Sequence, residues 1–270
     1  MLDDLTIITV KRPVEQDRLR VYFIGDTHVG SPQFNEEAIR KKIQIIKDDD
    51  LGVVNLCGDL ADYALRNSVS NIYQATLQPK EQQEYCYELF YPIKDKIAAA
   101  VPGNHEERIT KEVGLCPLYD LCVRWGVPEV YRENIAITRY MFGTVKGNTT
   151  GRVQQNVFYG ITTHGSSRNK HRKFAGGFDG ADFICSGHSH LSEYSPGARL
   201  RIQRGQATAA WVPFKIIVTD ANLKPGGYGL KHEYEIPATP ELQYLELSTY
   251  RTHDDNRTLH RVMDYHTIQI

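Results

Sequence analysis

Cysteine is scarce in this sequence, and its arrangement excludes the sites that cysteine most often forms. The 270 residues contain five cysteines, an odd number, scattered along the chain without a Cys-x-x-Cys pair. Neither a disulfide framework nor a thiolate zinc site is therefore expected. Cys57 and Cys185 lie in apolar stretches typical of strands, where cysteine is most simply a small core residue. We expect a reduced protein of the cytoplasm.

Long apolar runs and an excess of charge are also lacking. No segment is long and apolar enough to cross a bilayer, so no membrane association is expected. Residues 1–4 are acidic, and the apolar run near them is too short for a signal peptide. The 32 Lys and Arg residues nearly balance the 33 Asp and Glu residues, which gives a net charge of −1. The whole protein is thus not a polyanion binder, and any binding of phosphate must be local.

The composition that remains is that of an ordinary globular protein, with 41% hydrophobic and 24% charged residues. A chain of this length can bury one large core, and no internal repeat or sharp change in composition divides it. We therefore expect one domain over residues 1–270. Residues 63–96 are polar and aromatic, with a helix predicted to begin at Pro79, and are interpreted as an insertion that shapes the mouth of a cleft.

Apolar periodicity predicts alternating strands and helices in the first half of the chain. Residues 19–24 and 51–57 have the pattern of strands and 35–47 that of an amphipathic helix, which makes a βαβ unit with a parallel core sheet. Further helices are predicted after residue 104 and at 118–125. Further strands are predicted at 97–101, 135–142, 153–162, 181–185, 199–204, 214–219, 243–248 and 260–269. The fold class is therefore α/β.

Metal-binding types of side chain follow five of the predicted strands. Asp59 comes after Gly58, where the mainly apolar run 53–57 ends. Taken alone, Asp59 is equally well explained as a turn carboxylate that caps the next helix. The other strand ends carry Asp26 with His28, Asn104 with His105, His164, and His188 with His190. Because ligands bind at the carboxyl ends of strands in open α/β sheets, we expect these side chains to converge.

The chemistry of this set favours divalent metal ions. Imidazole, carboxylate and amide oxygen suit manganese, iron, zinc or nickel, of which we prefer manganese. Seven donors are too many for one such ion, and suit two ions that share a bridging carboxylate, about 3.5–4 Å apart. A single histidine is more often a satisfied core or surface side chain. A whole set placed after separate strands, several beside glycine, is poorly explained in that way.

Five short motifs occur in a characteristic order: Asp26-x-His28, Gly58-Asp59-x-x-Asp62, Gly103-Asn104-His105-Glu106, His164-Gly165 and Gly187-His188-x-His190. Together they resemble the calcineurin-like metallophosphoesterase family. The resemblance implies a two-sheet α/β sandwich flanked by helices, with layers in the order α/β/β/α. It also implies two divalent metal ions and a phosphoester substrate.

The resemblance further implies a role for each motif residue. One ion would be held by Asp26, His28, Asp59 and His190, and the other by Asp59, Asn104, His164 and His188. His105 would be the histidine that binds no metal, contacts the phosphate and protonates the leaving oxygen. Asp62 would orient His105, as a carboxylate paired with an imidazole does elsewhere.

The expected activity is hydrolysis of a phosphodiester, with nucleic acid or a nucleotide as the substrate class. A phosphomonoesterase uses the same metal chemistry and remains an alternative. A metal-binding scaffold without turnover is the alternative from another class of protein.

The sequence departs from the pattern of serine/threonine protein phosphatases, whose second motif continues with Asp-Arg-Gly. Here Tyr63 and Ala64 follow Asp62, so the arginine that grips phosphate in those enzymes is missing. Arg66 or Arg108 could supply the positive charge instead. So could the basic run at residues 168–173, with Arg168, Lys170, Arg172 and Lys173 as candidate substrate-binding residues. A solvated surface loop is the alternative interpretation of that run.

Overall fold

Two mixed β-sheets lie face to face and form the body of the molecule. The computed structural model describes residues 5–66, 68, 71–144, 155–166, 174–203, 208–226, 239–251 and 259–270. The strands are β1 (Ile8–Lys11), β2 (Leu19–Ile24), β3 (Gly52–Leu56), β4 (Ile97–Ala100), β5 (Ile135–Phe142), β6 (Asn156–Thr163), β7 (Phe183–Ser186), β8 (Glu193–Gln203), β9 (Thr208–Val218), β10 (Glu241–Arg251) and β11 (Leu259–Gln269). One sheet has the order β11-β10-β2-β3-β4, and the other has the order β1-β5-β6-β7-β9-β8.

The helices are α1 (Glu36–Asp48), α2 (Pro79–Phe90), α3 (Asn104–Val113) and α4 (Pro117–Trp125), with short 3₁₀ turns at Ile72–Gln74, Tyr91–Lys96 and Pro128–Val130. The predicted βαβ unit is confirmed, because α1 connects β2 to β3 and these strands pair in parallel. Helix α1 begins where the sequence predicts it, since the side chain of Asn35 accepts a hydrogen bond from the N–H of Ala38 at 3.3 Å. None of the helices in the described ranges is long and apolar enough to span a membrane.

Alternation along β2 explains why the molecule is layered. Tyr22 and Ile24 point into a core shared with α1, α2 and α4, whereas Val21 and Phe23 point into the core between the two sheets. A third, smaller core covers the outer face of the six-stranded sheet, where residues 174–181 contribute Ala175 and Ala181. The chain is therefore one two-sheet α/β sandwich, as expected from the motifs.

Hydrogen-bonded polar side chains join the sheets beneath the carboxyl ends of their central strands. The hydroxyl of Tyr140 donates to Oδ1 of Asn55 at 2.9 Å, and Nδ2 of Asn55 donates to the hydroxyl of Thr162 at 3.0 Å. All three residues are buried. Because a buried amide is costly unless it is paired, these bonds specify how the two sheets align.

The predicted strands 199–204 and 214–219 are too short. They are parts of β8 and β9, each of 11 residues, which form one long antiparallel hairpin. The pattern missed their full length because β8 is an edge strand and tolerates Pro196 and Gly197. Pro213 is tolerated in β9 because the pairing of β9 with β7 begins only at Lys215.

Candidate metal centre

The loops that follow β2 and β3 are bonded to each other as a continuation of the parallel sheet. The N–H of Asp26 donates to the carbonyl of Gly58 at 3.0 Å, and the N–H of His28 donates to that of Asp59 at 3.0 Å. Parallel strands end at the same edge of a sheet, so the first two motifs are brought side by side. The loops after β4, β6 and β7 meet them there.

Five of the predicted ligands have a left-handed backbone, which is uncommon for residues other than glycine. Their φ angles are 48° at Asp26, 49° at His28, 53° at Asp59, 70° at His188 and 60° at His190. Each such residue costs on the order of 1–3 kcal/mol, and such residues cluster at functional sites. The strain is therefore concentrated where the side chains are aimed at one another.

The glycines of the motifs allow carboxylates to approach the main chain. A Cβ atom on Gly103 would lie 2.1 Å from Oδ1 of Asp59, and one on Gly187 would lie 2.5 Å from Oδ2 of Asp26. In their place, the N–H of His188 donates to Oδ2 of Asp26 at 2.9 Å, and the N–H of His105 donates to Oδ1 of Asp59 at 2.9 Å. Asp59 thus bonds a helix N-terminus, but that of α3 rather than of the next helix in the chain.

One group of donor atoms consists of Asp26, His28 and His190. Nε2 of His28 lies 3.1 Å from Nε2 of His190. Oδ1 of Asp26 lies 3.9 Å from Nε2 of His28 and 3.5 Å from Nε2 of His190. Three residues from the ends of two strands therefore place ligand atoms around one point.

A second group consists of Asp59, Asn104, His164 and His188. Oδ1 of Asn104 lies 3.0 Å from Nε2 of His164 and 2.9 Å from Nδ1 of His188. Those two ring nitrogens are 3.2 Å apart, and Oδ2 of Asp59 lies 3.3 Å from Nε2 of His164. Asp59 also belongs to a cluster with His28 and His105, so it lies between the two groups.

The donor atoms fit two divalent cations. Two nitrogens about 2.1 Å from one ion, at an angle of 90–110°, lie about 3.0–3.4 Å apart. The observed separations of 3.1 Å for His28 and His190 and 3.2 Å for His164 and His188 match this value. In addition, Nδ1 of His164 donates to the carbonyl of Cys57 at 2.7 Å, which leaves Nε2 for a metal. The donor set is hard to borderline and contains no thiolate, which suits first-row metals.

The histidines and carboxylates shift one another's pKa values strongly. Burial lowers the pKa of His164, but the Asp59 carboxylate, helped by Asp26 and the carbonyl of Cys57, more than offsets this and raises the pKa to about 10. Burial raises the pKa of Asp59, yet His164 and His105 together bring it well below its usual range. Burial and the nearby His105 and His190 keep the pKa of His28 well below its usual value. These groups therefore titrate as one site.

His105 lies beside the two groups with its ring held by Asp62. Nδ1 of His105 is 2.6 Å from the main-chain carbonyl of Asp62 and 3.4 Å from its carboxylate. Since a carbonyl oxygen only accepts, Nδ1 carries the hydrogen of this bond. Nε2 is then the nitrogen that faces Oδ2 of Asp59, at 3.7 Å. The contact made by the Asp62 carbonyl is shorter than the one made by its carboxylate.

Glu106 is a structural residue of the site to which the sequence interpretation assigned no role. It is buried, and its carboxylate accepts hydrogen bonds from the N–H groups of Asp59 and Gly103, each at 2.9 Å, and of Leu60 at 2.8 Å. Glu106 thus ties the second motif to the third. The signal was its position three residues after Gly103, where a glutamate can bond the residue preceding a helix.

Gln82 of α2 connects the predicted insertion to the site. Its side chain is fully buried, accepts from the N–H of Tyr63 at 2.8 Å and donates to the carbonyl of Leu77 at 2.9 Å. It packs so closely under Gly30 that a Cβ there would approach it to 2.4 Å. The loops that carry His28 and Asp62 therefore rest on residues of the 63–96 segment.

Of the cationic side chains predicted to bind phosphate, Arg66 and Arg108 lie among the described residues. Arg168, Lys170, Arg172 and Lys173 lie outside the described residues, as does residue 153, the start of a predicted strand. Arg66 is exposed. Arg108 lies next to His105, with Nη2 3.0 Å from its Nε2.

The family model for calcineurin-like phosphoesterases matches residues 19–192. This match covers more than half of the chain and includes all five motifs. The chain belongs to the calcineurin-like phosphoesterase family. No curated protein matches this sequence.

Solved structures that match this chain include Vps29 of Chaetomium thermophilum and GAP50 of Plasmodium. Vps29 is 10% identical, with a TM-score of 0.39, and the alignment covers 93% of this chain and 98% of Vps29. GAP50, described as the anchor in the inner membrane complex, is 11% identical, with a TM-score of 0.43, and the alignment covers 94% of this chain and 90% of that one.

Proposed function

We propose that this member of the calcineurin-like phosphoesterase family hydrolyses phosphodiesters with two divalent metal ions. The observation that carries the proposal is the relation of Asp59 to the two donor groups. Oδ2 of Asp59 lies 3.3 Å from Nε2 of His164, and Asp59 also forms one cluster with His28 and His105. Nε2 of His105 faces the same carboxylate oxygen. A single-metal site needs no such shared carboxylate.

Under this proposal, Asp26, His28, Asp59 and His190 hold one ion, and Asp59, Asn104, His164 and His188 hold the other. When bound, two divalent ions lower the pKa of water and neutralise the negative oxygens of a phosphate. Manganese is the preferred ion, with iron, zinc and nickel as alternatives suited to the same donors.

The protein's own residues then provide proton transfer and positioning. Nε2 of His105 would give a proton to the oxygen that leaves phosphorus, while the bond of Nδ1 to Asp62 fixes the ring orientation. An alkoxide leaves poorly without a proton, so a positioned acid contributes about 10²–10⁴-fold. The main-chain bonds from Glu106 keep Asp59 and α3 in register during this step.

The proposed substrate class is nucleic acid or a nucleotide. It is supported by the density of positive charge in the basic run, four Lys or Arg within six residues of a protein whose net charge is −1. The segment 63–96, which supports the loops of the first two motifs, is proposed to shape the cleft that admits the substrate. The free thiols of all five cysteines support a reducing compartment such as the cytoplasm.

The test is a turnover assay on one protein preparation, with DNA, RNA, cyclic nucleotides and phosphomonoesters, in the presence of Mn²⁺ and then of each alternative metal. We expect turnover of diesters that disappears in Asp59→Asn and persists in the exposed control Asp48→Asn. Turnover of monoesters alone would make the protein a phosphatase. Stoichiometric metal binding without turnover of any ester would make it a scaffold.

The basic run has a test of its own. Neutralising Arg168, Lys170, Arg172 and Lys173 together should raise KM for nucleic acid and flatten its salt dependence, because fewer counterions are then released. KM for a small aryl diester should change little. Equal losses on both substrates would contradict a role in binding an extended anion.

A further inference from the structure

Helix α3 places the guanidinium of Arg108 against the ring nitrogens of His105. Helix α3 begins at Asn104, and residues three positions apart lie on the same face of a helix, so Arg108 is directly above His105. Its Nη2 lies 3.0 Å from Nε2 of His105 and its Nη1 lies 3.3 Å from Nδ1. The guanidinium is half-buried, and the ring nitrogen that its Nη2 contacts is also the one nearest Oδ2 of Asp59, at 3.7 Å.

The His105 ring can accept few of the hydrogen bonds that the Arg108 guanidinium can donate. Nδ1 of His105 already donates to Asp62, so Nε2 alone could offer a lone pair, and it offers none when it carries the proton proposed for the leaving oxygen. An arginine presents five N–H groups in a planar fork that matches the oxygens of a phosphate. One of the two N–H groups against the ring therefore faces no acceptor there.

The charge of Arg108 is also uncompensated among the described residues, where no carboxylate lies within 4 Å of it. By contrast, Arg20 is paired with Asp49 and Glu246, and Arg124 with Glu84. On α3 itself the neighbouring Lys111 is paired with Glu107. A half-buried cation without a carboxylate partner, beside metal-ligating groups, attracts anions to that place.

We propose that Arg108 binds a non-bridging oxygen of the substrate phosphate, in a fork-like contact beside His105. This inference rests on the proposed function and extends it to a residue that contacts substrate. It also accounts for the second motif, where Tyr63 and Ala64 stand in place of a phosphate-gripping arginine. Both of these residues are buried and present no charge to the cleft.

The first experiment measures binding of inorganic phosphate to the Mn²⁺-loaded protein by calorimetry, which requires no turnover. Arg108→Met should lower the affinity for phosphate roughly 10- to 100-fold, the usual effect of losing a charge-assisted contact. Arg108→Lys should fall between, because an ammonium keeps the charge but not the fork. Lys111→Met, which removes one charge from the same helix, should change affinity less than about twofold.

Metal content and thermal unfolding are measured on the same samples. Phosphate affinity in Arg108→Met equal to wild type would overturn the proposal. Loss of metal from both Arg108 variants would also overturn it, because Arg108 would then be a support of the metal centre. Wild-type protein that binds phosphate through Arg108 but turns over no ester would contradict the proposed function and leave this inference standing.

Kinetics separate substrate contact from an effect transmitted through His105. A phosphate contact predicts that Arg108→Met lowers kcat/KM equally for diesters with p-nitrophenyl and with alkyl leaving groups. If Arg108 only orients His105, Arg108→Met should lower kcat/KM more for the alkyl ester, because that leaving oxygen needs the proton more. The second result would overturn the proposed contact.

Discussion

One carboxylate oxygen of Glu106 accepts from the N–H of Asp59 at 2.9 Å and from that of Gly103 at the same distance. One buried side chain therefore holds the main chain at both Gly103, which precedes α3, and Asp59, whose carboxylate lies between the two donor groups. Any displacement of Glu106 moves Asp59 and Asn104 together, so both groups of donor atoms depend on it.

Glu106→Gln should destabilise the protein and weaken metal binding. An amide offers only one oxygen to the three N–H groups, and each buried N–H left without an acceptor costs about 1–3 kcal/mol. Urea unfolding and metal titration would measure both effects. Glu107→Gln is the matched control, since that neighbour is exposed and should change stability by less than about 0.5 kcal/mol. Equal behaviour of the two variants would contradict this role.

Two metal ions per chain should share Asp59. Elemental analysis of the fully loaded protein should find two ions, because seven donors form two groups with Asp59 between them. Asp59→Asn should weaken the binding of both ions, whereas His28→Ala should mainly weaken the binding of one. A fully active protein that contains a single ion would exclude the binuclear arrangement.

His105→Asn should leave the metal content unchanged and lower kcat. The loss should approach the contribution of a positioned acid, about 10²–10⁴-fold, for an alkyl or nucleoside leaving group. It should shrink for p-nitrophenolate, which leaves readily as an anion. A loss of equal size on both esters would reject the acid role, and loss of metal would make His105 a ligand.

Metal binding to the metal-free protein should become tighter as pH rises toward 10. The pKa of His164 is raised to about 10, so its Nε2 carries a proton that a metal must displace. Because the unfolded value is about 6.5, the proton contributes stability that is complete below about pH 6.5 and is lost as pH rises through about 10. Metal titrations and thermal unfolding across this range measure both effects. His164→Gln should flatten both profiles, and unchanged profiles would contradict the shift.

Lys42→Met should be strongly destabilising. Nζ of Lys42 bonds both carboxylate oxygens of Asp220 at 2.9 and 3.0 Å, and both residues are buried. Removing one partner leaves a buried charge, which costs about 3–5 kcal/mol, whereas the double variant Lys42→Met, Asp220→Asn should recover much of this loss. Lys41→Met, at an exposed neighbour paired with Glu37, should have little effect. Urea unfolding decides, and a Lys42→Met as stable as wild type would contradict this account.

The local pattern of the sequence determined much of the architecture. The strand that ends before Asp26, the helix that follows Asn35 and the strand that ends before Asp59 were all predicted from apolar periodicity. The two-sheet α/β class followed from the motifs and is confirmed. These features depend on residues that are neighbours in the chain, so short stretches of sequence record them.

The convergence of the candidate ligands could also be predicted, since parallel strands end at one edge. Their assignment to each ion, and the roles of His105 and Asp62, stay predictions. The basic run is untested, because it lies outside the described residues.

Other features were decided only by tertiary structure. The three bonds of Glu106, the support from Gln82 and the pairing of Lys42 with Asp220 join residues far apart in sequence. The left-handed backbone at Asp26 and Asp59 is imposed by neighbouring loops and contradicts the local preference of these residues. The full length of β8 and β9 depends on their pairing with each other, because their exposed halves have no apolar pattern. A sequence records which side chains can bond, whereas the packing of the two sheets decides which of them meet.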